Sequence, residues 1–280
     1  KEKLQRNFRL LSYPNIRVKR GILFASLILI NLFLITLPLT NSLGYEFVLV
    51  NSIIFFFVGG ITVCNKQKLE NQPTFFDYIS SEYKTVLVVL LIPLIIGSLS
   101  SLFNSRCPIK DGLAFYFVIA VPSYVLGIIL GLLSSLVSKK FNRLIFVSVT
   151  VLLLLTSLLE FYFFPQVYFY NPVFGFFPGT IYDEDVAVNL KLILFQLFNL
   201  TVFGGGLFLL QKKYHLNVKK VVSVLGVLLL LTLSFVLKPI FGFATTESKL
   251  QSELSTKITT DHFEILLGDS VKNSDYEFIG

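Results

Sequence analysis

Seven apolar stretches, each 17 to 25 residues long, constrain this chain more than any other feature. They run from about Gly21 to Thr40, Phe47 to Cys64, Thr85 to Phe103, Leu113 to Val137, Leu144 to Phe164, Leu192 to Leu210 and Val221 to Leu237. A helix needs about 20 mostly apolar residues to cross the hydrocarbon of a bilayer. Six of the seven contain no Asp, Glu, Lys or Arg, and the fifth contains only Glu160, near one end. Only 15% of all residues are charged, where a soluble domain carries about 25%. The expected fold is therefore an all-α membrane protein, a bundle of about seven transmembrane helices. The basic segment 1–20 precedes it, the helices fill 21–237, and a short α/β tail occupies 238–280.

The charges that remain sit in clusters between the apolar runs. This excludes a nucleic-acid reading of the net +7 charge and points to basic flanks of membrane helices. The segment before the first helix and the second-to-third, fourth-to-fifth and sixth-to-seventh loops hold 17 Lys and Arg. The alternate loops hold four: Arg106, Lys110, Lys191 and Lys238. That alternation predicts a cytoplasmic N-terminus and an outside C-terminus, in a cell (inner) membrane. The lipid bilayer is the one partner the sequence implies, and it identifies no protein partner. The cysteines, Cys64 and Cys107, then lie at opposite sides and form no CxxC motif.

Several features interrupt the helices. Pro93 and Pro122 fall inside the third and fourth, and Gly127 and Gly131 form a GxxxG pair. Small residues let membrane helices approach closely, so packing is favoured over a gating hinge for these glycines and for Gly204, Gly205 and Gly206. Between Phe161 and Tyr182, 11 of 22 residues are Phe or Tyr, broken by Pro165, Pro172 and Pro178. Aromatic rings prefer the headgroup level, so this loop is expected to lie on or dip into the outer interface. In the tail, a short polar helix is expected over Thr245–Lys257. A strand is expected over Ile258–Leu267 and another helix near Asp275. So small an exposed unit cannot build a core, so the tail resembles the opening of a truncated domain.

Few residues carry candidate chemistry. Glu160 is the best intramembrane candidate, because ionisable groups in lipid are costly. Its alternative is solvation, or hydrogen bonding to the aromatic loop. Asp183, Glu184 and Asp185 suit a hard cation, or equally the positive N-terminus of the sixth helix. Gln196 and Asn199 share a helix face, for bonds to neighbouring helices or for a substrate path. His215 and His262 fall on opposite sides of the membrane. No nucleotide-binding loop, no His-Glu-x-x-His and no nucleophile triad occurs.

Leu43–Phe47, Cys107 with Gly112–Tyr116, Pro122–Ser123, Pro165–Pro172, Phe177–Glu184 and Thr260–Ile265 carry a further signal. They resemble a group of bacterial membrane proteins in which a gluzincin-like (peptidase MA-like) zinc peptidase domain follows a multi-helix membrane region. The resemblance implies that Thr260–Ile265 opens the peptidase domain. It implies zinc in the full-length protein, held by a His-Glu-x-x-His helix and a distant Glu. None of those ligands falls on this chain, so no catalytic residue and no cofactor is assigned to it. The expected function is the membrane-anchoring portion of an extracytoplasmic zinc metallopeptidase. The alternatives are a transporter or permease-like subunit, or a structural membrane partner.

Overall fold

The computed structural model describes residues 13–67, 74–103, 109–163, 169–177, 187–214, 220–254, 256–259 and 264–267. Helices α1 (Tyr13–Leu34), α2 (Tyr45–Gln67) and α3 (Phe75–Phe103) come first. Then α4 (Ile109–Phe115), a π-helical turn (Tyr116–Ala120) and α5 (Val121–Val137) form one rod, followed by α6 (Asn142–Phe163). A small hairpin, β1 (Phe169–Asn171) and β2 (Gly175–Phe177), precedes α7 (Leu190–Tyr214) and α8 (Lys220–Ile240). The tail holds α9 (Glu247–Glu253) and a second hairpin, β3 (Thr256–Thr259) with β4 (Glu264–Leu267).

The architecture is an all-α bundle of a multi-pass membrane protein. Among the described residues, six helical segments are long and apolar enough to cross a membrane. The apolar part of α1, Arg20–Leu34, is shorter. Its 15 residues rise only about 22 Å, against about 30 Å of hydrocarbon. The first apolar stretch thus runs past the end of its helix. Pro38 disfavours helical geometry at Leu37. Thr40 stabilises the stop, because its hydroxyl donates at 2.6 Å to the Leu34 carbonyl, which also accepts from the Leu37 N–H at 3.0 Å.

α5 lies at the centre. Every residue from Ser123 to Leu136 except Val125 is buried. Its closest neighbour is α2, and glycines make that approach possible. A Cβ on Gly127 would lie 2.2 Å from the Phe56 carbonyl oxygen, and one on Gly131 would lie 2.8 Å from that of Gly60. From the other side, a Cβ on Gly59 would meet the Tyr124 carbonyl oxygen at 2.7 Å. The GxxxG pair is therefore a packing seam. Its flanks are closed by rings: Phe55 meets Tyr116 and Tyr124 edge-on, and Phe56 stacks on Phe146.

Pro122 explains the π turn just ahead of it. A proline ring clashes with the carbonyl four residues back, and widening the helix relieves that clash. The Val121 N–H accordingly reaches five residues back, to the Tyr116 carbonyl. At the opposite end of the bundle, Arg20 forks onto both oxygens of Glu82 at 2.8 Å, tying α1 to α3.

The tail differs from its sequence expectation. The polar helix is shorter than Thr245–Lys257, and the expected single strand is a hairpin with Ile258 opposite Ile265. The helix expected near Asp275 lies outside the described residues.

Replacing Gly127 by Leu should destabilise the protein by more than the usual 1–3 kcal/mol of an overpacked core, because the obstacle is backbone. Gly205→Ala is the control, since nothing lies within 4 Å of a Cβ there. It should be neutral or gain up to about 1 kcal/mol of helix propensity. Thermal unfolding in detergent measures both.

Candidate functional site

The described part of the aromatic loop is a hairpin whose tip plugs one end of the bundle. Asn171 starts the turn, its Oδ1 accepting from the Val173 N–H at 2.8 Å. Gly175 completes it at φ +85°, a conformation that favours glycine. The tip is pinned on two sides. Ser123 of α5 donates to the Val173 carbonyl at 2.6 Å. Asn171 Nδ2 donates to the Leu153 carbonyl and to Ser157 Oγ of α6, at 3.0 and 2.8 Å. Tyr45, at the start of α2, donates its hydroxyl to the Phe176 carbonyl and packs its ring on Phe176 and Phe115. Phe169, Tyr170 and Phe176 are buried, Phe174 is half-buried and Phe177 is exposed. Tyr168 lies outside the described residues.

Under this hairpin sits a buried ion pair, Glu160 with Lys238. Glu160 is 0% exposed and Lys238 2%. Their helices bring them together by depth alone: each lies 18 residues into its helix, a rise of about 27 Å. Lys238 also donates to the Tyr170 carbonyl at 2.8 Å, so one ammonium joins α6, α8 and the hairpin. Its Nζ lies 5.3 Å from the centre of the Phe195 ring of α7, a cation–π distance. Lys191 lies 5.5 Å from the Tyr170 ring.

The chain leaves the bundle at this point through a capped turn. Gly242, at φ +73°, donates to the Pro239 carbonyl at 3.0 Å, and Phe243 N–H donates to the Lys238 carbonyl at 2.8 Å. These are the two bonds of a Schellman motif. The turn swings Phe243 back onto Tyr170, Phe195 and Phe198.

Of the sequence candidates, Glu160 is thus held by a lysine that in turn bonds the aromatic loop. Lys238, assigned by sequence to an outer loop, stands in the last turn of α8. Gln196 and Asn199 are both buried on α7. Asn199 Nδ2 turns back to the Phe195 carbonyl of its own helix at 2.8 Å. Gln196 Nε2 and Asn199 Oδ1 have no hydrogen-bond partner among the described residues. Asp183, Glu184, Asp185, Cys107, His215 and His262 lie outside the described residues. Among the described residues, no three of His, Cys, Asp and Glu gather as a metal site would require. No family model, curated protein or solved structure matches the chain.

What this arrangement does chemically is fasten. A charge buried without its partner is strongly destabilising, whereas replacing both partners by apolar groups is often neutral. Glu160→Leu and Lys238→Met should each cost about 3–5 kcal/mol. The double variant Glu160→Leu/Lys238→Met should recover most of that loss. Chemical unfolding of the four proteins in a double-mutant cycle measures the coupling, and additive costs would show the two groups to be independent.

Proposed function

We propose that this chain is the membrane anchor of an extracytoplasmic domain, which it holds at a fixed exit point at the hairpin end of the bundle. The observation that carries this reading is the junction at Lys238. Lys238, in the last turn of α8, is bonded to α6 and to the hairpin, and the turn after the helix packs Phe243 onto the same cluster. A flexible tether needs no such fastening. Three of the segments that resemble zinc peptidases of the peptidase MA-like group pack on the same hairpin: Leu43–Phe47, Gly112–Tyr116 and Pro122–Ser123. Tyr45, Phe115 and Ser123 all touch the hairpin. A Cβ on Gly112 would overlap the Leu43 carbonyl oxygen at 1.8 Å, so the first two segments also meet directly. On this reading the tail leads into a zinc metallopeptidase domain, and the bundle sets its height and orientation over the membrane.

The purified product of the intact gene should then carry about one zinc per chain, bound as a His-Glu-x-x-His site binds it, and lose proteolytic activity on chelation. A gene product with no zinc and no such helix would remove the enzyme reading. A transporter reading draws support from the buried, unpartnered Gln196 Nε2 and Asn199 Oδ1. It requires that Gln196→Leu abolish uptake of some solute, while anchoring leaves uptake unaffected.

The proposed orientation has the N-terminus in the cytoplasm, the hairpin outside and seven crossings, the first completed by residues 35–40, which continue the apolar stretch beyond α1. Its support is the 17-to-4 distribution of basic residues, and Lys139 and Lys140 lie exposed in the turn opposite the hairpin end. Cys64 is buried, so it is a poor reporter before denaturation. In a Cys64→Ala background, a membrane-impermeant thiol reagent should label Cys107 on intact spheroplasts. In a Cys64→Ala/Cys107→Ala background, Lys140→Cys should react only after lysis. The opposite pattern would invert the topology.

A further inference from the structure

α6 and α8 both pack on the central α5. They run in the same direction and are joined at the hairpin end by Glu160 and Lys238. Immediately inward of that pair they leave a groove of about 450 Å³. Leu152, Leu155 and Thr156 line it from α6, and Leu228, Thr232 and Phe235 from α8. We propose that this groove is a binding site for one acyl chain of a membrane lipid.

The lining decides between possible occupants. Among the described lining residues the only hydroxyls are spent on their own helices: Thr156 donates to the Leu153 carbonyl at 2.6 Å and Thr232 to the Leu228 carbonyl at 3.0 Å. No donor or acceptor remains to orient a polar solute. A second protein helix needs small residues to approach closely. The α2–α5 seam has three glycines for that purpose, Gly59, Gly127 and Gly131, whereas the described lining of the groove has neither Gly nor Ala. Its walls are long, flexible leucines, among which Leu152 and Leu228 are each about half exposed. An alkyl chain adapts to such walls and needs no hydrogen bond. From Leu152 to Leu159 the groove rises about 10 Å along α6, the length of part of one acyl chain. The exposed Leu152, Leu155 and Leu228 leave the groove open at its side, so the occupant enters from the bilayer. The site rests on the reading of α6 and α8 as membrane-crossing helices.

The absence of tryptophan from the chain makes the test clean. Two single-tryptophan proteins are needed: Phe235→Trp in the groove and Phe208→Trp on the outward face of α7, where Phe208 is 67% exposed. Both are reconstituted into phosphatidylcholine brominated on its acyl chains, then extracted and purified in an unbrominated detergent. In the bilayer both tryptophans should be quenched. After extraction Trp at 208 should regain the fluorescence it has in unbrominated lipid, while Trp at 235 keeps its loss and one brominated lipid co-purifies. Full recovery at 235 would reduce the groove to ordinary boundary lipid and overturn the proposal. No quenching at 235 in the bilayer would mean that protein fills the groove, and would overturn it too. No quenching at 208 would instead bring down the membrane-crossing reading on which the site rests.

Discussion

The contact between α2 and α5 is the one on which the other helices depend. Gly59, Gly127 and Gly131 bring two backbones so close that a single Cβ would strike a carbonyl oxygen, and Gly60 makes room for the Phe146 ring. Lipid tails are as apolar as leucine, so helices in a bilayer gain little by hiding apolar surface from water. They gain by close, extensive van der Waals contact. The glycine seam supplies that contact at the centre, and α5, buried on all sides, then presents surfaces for α6, α7 and α8. The π turn before Pro122 is part of the same arrangement. It keeps the α4–α5 rod continuous while placing Ser123 where it bonds the hairpin tip.

A second constraint acts at the hairpin end. Irregular backbone that is buried has to be satisfied by protein groups, because no bulk water reaches it. The turn Pro172–Phe174 meets this demand with side chains: Ser123 takes the Val173 carbonyl, and Asn171 takes the Val173 N–H. Lys238 takes the Tyr170 carbonyl, and Glu160 neutralises the charge that Lys238 brings. Each group accounts for another, so the hairpin, the end of α6 and the exit of α8 form one mechanical unit. That unit is what makes anchoring in a defined orientation a more economical reading than a loose tether.

The amino-acid sequence by itself determined the class of structure. Apolar stretches of about 20 residues admit only helices in a membrane, and the Gly127–Gly131 spacing identified a close-packed seam. Both signals are local, carried by composition and by a fixed period along one helix. Glu160 also stood out, as the lone charge in an otherwise apolar stretch. Its partner was less legible, because Lys238 sits at the edge of its stretch, next to Pro239, and looks like a loop residue. The equal depth of the two residues in their helices was the available signal, but it becomes meaningful only once α6 and α8 are known to be parallel neighbours.

Only the tertiary structure decided that adjacency, and with it the pairing of Glu160 with Lys238, the burial of the hairpin tip and the groove beneath it. The order in which helices surround α5 is a long-range property. It is fixed by which faces carry glycines and rings that fit one another, and in lipid every outward face of these helices looks alike in sequence. Asn199 shows the same limit at smaller scale: its polarity was evident, but whether it would reach a neighbour or fold back onto the Phe195 carbonyl depended on what the bundle placed opposite it. Sequence sets which groups need partners in an apolar medium, and packing alone assigns the partners, because the distances that matter join residues far apart in the chain.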